Sequence, residues 1–156
     1  MKHVLFLCSG NTCRSPMAEA IAKAIFLKNG MNISVSSRGI YAFDGEAVSE
    51  NAVLAMKDLD IDIDISNHKA IGVTLADIEG ADYIFTMTQS HKAFIENHSP
   101  DKVKNLFTIS EYAEHIKDIH DPFGGNINHY IACAEELKTL ITRMADKLFN
   151  EMEDSK

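Results

Sequence analysis

The chain has 156 residues, 46% of them hydrophobic and 24% charged, enough for one α/β or α+β domain whose core needs neither metal nor disulfide to hold it. Its 23 acidic against 15 basic side chains leave a formal charge of -8, and with no run of Lys or Arg to override it that charge excludes nucleic acid and anionic membrane as partners. The only apolar N-terminal stretch, Val4 to Leu7, is shorter than a signal peptide's hydrophobic segment and far shorter than a membrane span. The expectation is a cytoplasmic protein with one domain over 1–156; the oligomeric state stays open.

Val4-Leu5-Phe6-Leu7 is a continuous apolar run and reads as a strand buried on both faces, as in a parallel sheet. A polar turn, Cys8 to Arg14, leads to Ser15 as candidate N-cap and Pro16 at the first helical position, with Met17, Ala20, Ile21, Ala24 and Leu27 following at helical spacing. Ile33 to Ser37 alternates like a second strand, and Ala47 to Leu59 has the periodicity of a second helix with Val48, Ala52, Ala55 and Leu59 on one face. Ala81 to Met87 is rich in β-formers and precedes a predicted helix from Ser90 to Asn97, which Pro100 closes off. Val103 to Ile109 reads as a fourth strand. Tyr130, Ala134, Leu137, Ile141, Met144 and Leu148 mark one stripe of a long terminal helix, whose end from Glu153 to Lys156 is expected to fray. Strands alternating with helices imply parallel pairing through right-handed crossovers, hence a doubly wound α/β sheet of four strands with helices on both faces.

Three cysteines, at 8, 13 and 133, cannot form a fully paired framework and show no metal-ligand spacing. The histidines at 3, 68, 91, 98, 115, 120 and 129 form no His-x-x-x-His or Cys/His cluster. No metal and no cofactor is expected; a reducing compartment and a reactive thiol fit better.

Cys8-Ser9-Gly10-Asn11-Thr12-Cys13-Arg14-Ser15 lies between a buried strand and a helix start, where open α/β sheets bind ligands. A loop wrapped around a helix N-terminus points successive backbone N–H groups at one centre, and the helix dipole adds partial positive charge, so Ser9, Gly10, Asn11, Thr12, Cys13, Arg14 and Ser15 form a candidate cradle for an anion. Gly10 permits the tight wrapping, and Asn11 tolerates a left-handed conformation better than most residues. Cys8 would feel those N–H groups and the Arg14 guanidinium, both of which favour thiolate and so lower its pKa. Arg14 can grip two phosphoryl oxygens through its planar fork. Cys13, five positions from Cys8, is a candidate partner in a reversible disulfide, and Cys133, beside the apolar stripe of the last helix, reads as core.

The segment VLFLCSGNTCRSPMAEA resembles the opening of the low-molecular-weight protein tyrosine phosphatases, and the likeness extends to Asp121-Pro122-Phe123-Gly124, which matches the family's Asp-Pro motif before the last helix. The resemblance implies a phosphatase working through a phosphocysteine on phosphorylated protein substrates, with Cys8 as nucleophile and Arg14 holding the phosphoryl group. Expelling the leaving group needs a proton, and Asp121 is the candidate acid, then the base that activates water. The resemblance also implies that Asn11, Ser15, Ser37 and His68 hydrogen-bond to keep the loop in shape.

Tyrosine-specific members usually carry a bulky aliphatic residue where Thr12 stands and two consecutive aromatics where Phe123-Gly124 stands. A hydroxyl and a missing aromatic wall suit a polar guanidinium better than a phenyl ring. At these positions, and at Met87-Thr88 and His91-Lys92, the chain is more similar to the protein-arginine phosphatase branch, which implies phosphoarginine as preferred substrate with Thr12 and Phe123 setting specificity. Phosphotyrosine is the alternative. Two further readings share the loop: an arsenate reductase, which would carry an additional cysteine pair in mid-chain, and a non-catalytic phosphate or redox sensor, which would lack the acid at Asp121. A nucleotide-binding P-loop would need Gly-Lys-Ser/Thr where Arg14-Ser15 stands.

Overall fold

Every residue from Val4 to Cys8 is buried, because the strand they form lies inside a sheet covered on both sides. The computed structural model describes residues 1–99 and 101–155, so Pro100 and Lys156 lie outside the described residues. Strands β1 (Lys2–Cys8), β2 (Ile33–Gly39), β3 (Tyr83–Thr86) and β4 (Leu106–Thr108) form a parallel sheet in the order β2-β1-β3-β4. The helices are α1 (Arg14–Lys28), α2 (Glu50–Asp58), α3 (Leu75–Gly80), α4 (Gln89–His98), α5 (Ile109–Tyr112) and α6 (Ile127–Asp154).

Successive side chains of a strand point to opposite faces, and β1 uses both. Val4, Phe6 and Cys8 join a core built with Met17 and Ile21 of α1, Ala52 and Ala55 of α2, and Leu137, Ile141 and Met144 of α6. Leu5 and Leu7 face a smaller cluster with Ile78 of α3, Ile84 of β3 and Ile95 of α4. This is the doubly wound α/β architecture expected from the sequence. The chain leaves β1 toward β2 on one side and reaches β3 on the other, so the carboxyl end of β1 lies at a switch point, where such sheets open a crevice.

Several boundaries move, each for a local reason. Helix α1 begins at Arg14 with Cys13 in the cap position and no side-chain cap. Ser15 is therefore inside the first turn, and its hydroxyl meets Cys8 Sγ at 2.8 Å instead of capping. Pro16 is the third helical residue, still among the positions whose N–H has no helical acceptor. Leu27, expected on the buried face, is 79% exposed, and Phe26 closes the apolar stripe. Helix α2 starts only after Ser49, because Ala47 is held in a bridge with Lys69. Strand β4 ends at Thr108, whose side chain accepts from the Glu111 amide in a capping box that begins α5. A like box, Thr74 with Asp77, begins α3; these two short helices are absent from the periodicity reading, though Thr-x-x-Asp and Thr-x-x-Glu are recognisable starts.

Helix α6 runs through Glu153 and Asp154, where fraying was expected, and the Ser155 amide still donates to Glu151. The six apolar residues of its predicted stripe are all buried. Among the described residues no helix is long and apolar enough to cross a membrane.

Ile141 of α6 is fully buried in the larger core. Ile141→Ala should lower unfolding free energy by about 2–5 kcal/mol in urea titration, whereas Leu54→Ala, on the exposed side of α2, should change it by less than about 0.5 kcal/mol.

Candidate active site

Between β1 and α1 the backbone carbonyls of the loop turn outward and are bonded there. Cys8 O accepts from Ile40 N and Ser9 O from Tyr41 N, both at 2.9 Å, and Thr12 O accepts from Ser49 N at 2.9 Å. Asn11 O is met by His68 Nε2 at 3.0 Å; a carbonyl only accepts, so that imidazole nitrogen carries the hydrogen. In a trans peptide the N–H points opposite to the preceding carbonyl. The amides of Ser9, Gly10, Thr12 and Cys13 therefore face the inside of the loop, and the Asn11 amide does so visibly, reaching Cys8 Sγ at 3.3 Å. Helix α1 adds its positive end beneath them.

Asn11 holds this shape from within. It sits at φ 57°, a left-handed conformation in which asparagine is favoured over most residues, and its side chain is wholly buried. The Ile71 amide donates to Oδ1 at 3.0 Å, which fixes the amide's orientation. Nδ2 then donates to Ser15 Oγ at 2.8 Å and to Ser37 Oγ at 3.1 Å. Each hydroxyl, having accepted, can pass its own hydrogen on: Ser37 to Glu19 Oε1 at 2.8 Å, Ser15 to Cys8 Sγ. Asn11, Ser15, Ser37 and His68 are thus brought together around the loop.

Cys8 lies at the floor of a cleft of about 250 Å³ whose walls include Ser9, Gly10, Thr12, Cys13, Arg14 and Asp121. Burial pushes its thiol up from the ordinary value, and against this work the Ser15 hydroxyl and amide, the Arg14 charge and the Asn11 amide. The expectation of a lowered pKa is corrected in that respect: every donor it invoked is in place, but removing the sulfur from water costs more than they return. Cys13 and Cys133 are buried and, like Cys8, free thiols; Cys13 Sγ lies 3.4 Å from the Tyr130 hydroxyl.

Arg14 is almost fully buried, donates from Nη1 to Ile119 O at 2.9 Å and places Nη2 3.5 Å from Asp121 Oδ2. Asp121 is itself oriented by the Phe123 amide, which donates to Oδ1 at 3.1 Å, and its side chain is 49% exposed at the rim. Phe123 stands at the mouth, 74% exposed.

The sequence reading gave no site role to five residues that the structure brings to the loop or its cleft. Tyr41, Phe43 and Glu46, all exposed, complete the cleft wall from the segment after β2; the aromatic surface that Gly124 does not supply is partly restored by the first two. His91 Nε2 lies 2.9 Å from Ser9 Oγ. Gly39, though outside the cleft, is as constrained as any residue in it: a Cβ would stand 2.7 Å from Ser9 O and 3.0 Å from Asn11 N. Among the described residues no group of three or more His, Cys, Asp or Glu could hold a metal ion. A loop of convergent amides, a guanidinium, a sulfur at the floor and a carboxyl at the rim can bind a tetrahedral oxyanion, attack its central atom and supply a proton to what leaves.

The family model described as low molecular weight phosphotyrosine protein phosphatase matches residues 3–154. A protein-arginine-phosphatase of Bacillus subtilis (strain 168) is 36% identical over 146 residues, 93% of this chain and 95% of that protein. A low molecular weight protein-tyrosine-phosphatase, PtpB, of Staphylococcus epidermidis is 37% identical over 145 residues, again 93% of this chain and 95% of that protein. Among solved structures, the arginine phosphatase YwlE, as a cysteine-to-serine mutant with a phosphorylated active-site serine, superposes with a TM-score of 0.87 at 35% identity, covering 94% of this chain and 95% of that one.

Asn11→Ala would take one donor from each of two buried hydroxyls, leave the Ile71 amide without its acceptor and force alanine into a left-handed backbone. It should cost about 2–3 kcal/mol of unfolding free energy and weaken inorganic phosphate binding at least about tenfold by calorimetry; phosphate affinity within twofold of wild type would show that the loop keeps its shape without this side chain.

Proposed function

The chain belongs to the low molecular weight phosphotyrosine protein phosphatase family, and from that premise we propose that it hydrolyses phosphoarginine in proteins, with Cys8 as nucleophile, Arg14 as phosphoryl clamp and Asp121 as acid and base. It is a cysteine-dependent protein phosphatase acting on phosphorylated protein substrates. The observation that carries the assignment of roles is the loop whose carbonyls at Cys8, Ser9, Asn11 and Thr12 are tied outward, so that its amides converge beside Cys8 Sγ while Arg14 and Asp121 meet at 3.5 Å across the same cleft.

In the first step the Cys8 thiolate attacks phosphorus and the P–N bond breaks; Asp121 gives its proton to the departing guanidine nitrogen. The three equatorial oxygens spread their charge over the inward amides and Arg14. In the second step the Asp121 carboxylate takes a proton from water, which attacks phosphorus and breaks the P–S bond, releasing inorganic phosphate and restoring the thiolate. The serine-phosphorylated YwlE mutant supports a covalent intermediate at the corresponding residue. The Ser15 hydroxyl and Asn11 amide offset the cost of the buried sulfur's charge whenever it forms.

Phosphoarginine is favoured by the polar side of the cleft. Thr12 puts a hydroxyl beside the phosphoryl site, and the carboxylates of Glu46 and Asp121 on the walls suit a cationic guanidinium, which a neutral phenyl ring does not reward. The 36% identical protein-arginine-phosphatase is consistent with this. Tyr41, Phe43 and Phe123 favour the second reading, phosphotyrosine, because together they offer a ring surface on which an aryl group can stack. Cys13, which lines the same cleft, is proposed as partner in a reversible disulfide formed when peroxide oxidises Cys8. The proposal includes a cytoplasmic location, supported by three unpaired thiols, and a single domain, supported by a family match over residues 3–154.

Wild type should release phosphate from phosphoarginine peptides with a higher kcat/KM than from matched phosphotyrosine peptides; the reverse order overturns the substrate assignment. Cys8→Ser should abolish turnover of both, by at least about 10³-fold. Thr12→Ile should shift the ratio toward phosphotyrosine by about tenfold, and an unchanged ratio would show that Thr12 does not discriminate.

A further inference from the structure

His91 is a buried histidine without an evident structural reason to be polar. It is the third residue of α4, its amide donates to the Thr88 side chain at 3.2 Å, and the Gln89 amide two residues earlier is held by Asp118 Oδ1 at 3.1 Å. The turn is thus pinned at the end of β3, next to β1, and aims the imidazole at the phosphate loop. Nε2 reaches Ser9 Oγ at 2.9 Å. Nδ1 is buried and finds no hydrogen-bond partner among the described residues.

That asymmetry assigns the hydrogen. Burial, then the Arg14 charge, hold His91 down to about 4, against the opposing pull of Asp118 and Asp121, so the ring is neutral at pH 7 and carries one N–H. Were the hydrogen on Nδ1, it would be a buried donor with no acceptor, which folded proteins very rarely contain; an unmet lone pair is more readily tolerated. The hydrogen therefore sits on Nε2 and is donated to Ser9 Oγ. With one lone pair so occupied, the Ser9 hydroxyl keeps its own hydrogen for another acceptor. Its backbone is fixed by Tyr41 N on Ser9 O at 2.9 Å, and the residue lines the cleft beside Cys8.

We propose that the Ser9 hydroxyl is a further catalytic donor of this site, giving its hydrogen to a phosphoryl oxygen, and that His91 is the positioning residue that sets its direction. The inference rests on the reading of the loop as a phosphoryl cradle. It adds to the main-chain amides one side-chain donor held from behind by a neutral imidazole, so the donor arrives already oriented.

The test is a double-mutant cycle on para-nitrophenyl phosphate and on a phosphoarginine peptide, with Ser9→Ala, His91→Phe and the double variant. Each single change should lower kcat about tenfold with KM altered less than twofold, and the double variant should be no slower than the worse single one. Ser9→Thr and His91→Gln, which restore a hydroxyl and a donor, should recover most of the rate. Multiplicative losses in the double variant, kcat within twofold of wild type in Ser9→Ala, or a His91→Gln as slow as His91→Phe would overturn the proposal. If His91→Phe does not fold, the Ser9 pair decides: a tenfold loss repaired by threonine upholds the donor, and no loss or no repair ends it. A wild type inactive on both substrates would instead sink the phosphatase reading itself.

Discussion

A peptide plane can point its carbonyl and its N–H only in opposite directions, and the site is built on that restriction. Four connections draw the loop's carbonyls away from its centre: two to the segment following β2, one to the residue before α2, one to His68. Their effect is to spend the outward side of the loop on permanent partners, so that the inward side is left rich in donors without a single lysine. Asn11 completes the arrangement by taking up a backbone angle few residues accept and by bonding through every atom of its amide group.

The same network has a direction. Glu19 is an acceptor only, so Ser37 donates to it; Asn11 donates to Ser37 and Ser15; Ser15 keeps its hydrogen for Cys8 Sγ at 2.8 Å or, at the longer 3.5 Å, for Arg38 O. The Ser15 hydroxyl beside the sulfur is thus an acceptor toward Asn11 because the Ile71 amide fixes the Asn11 side chain, while Ser37 is turned toward Glu19, itself paired with Lys23 one turn later. Such a chain favours charge on the sulfur, and burial opposes it. The two are inseparable, since the packing that orients the donors is the packing that removes the water.

The fold was largely legible in the sequence because β1 and α6 carry its signal openly: an unbroken apolar run and a six-member stripe leave little choice of structure. The core of the site was legible because Cys8, Gly10, Asn11, Arg14 and Ser15 fall in one contiguous stretch. What escaped reading is what comes from elsewhere in the chain. Tyr41, Phe43 and Glu46 reach the cleft from a segment with no periodicity, and His91, noted only as a point of similarity to one branch of the family, gave no sign of its contact with Ser9. Gly39 could not be distinguished from any strand-end glycine until the loop packed against it was seen. The helix start was misplaced because Ser15, a good capping residue by type, is recruited by Cys8, a competition that only three-dimensional proximity reveals.

The segment from Ile119 to Asp121 holds Arg14 twice, through a main-chain oxygen and through a carboxylate, and it is anchored just beyond the end of β3 by the Ile119 amide on Met87 O. The proposed anion grip and the proposed proton source are therefore mechanically one part. A displacement of this strip that carried the acid away from the mouth would also release the guanidinium, so partial disengagement is not available to it. The molecule has, in effect, a single latch for the two duties proposed for Arg14 and Asp121, and whatever grasps the strip from outside would govern both together.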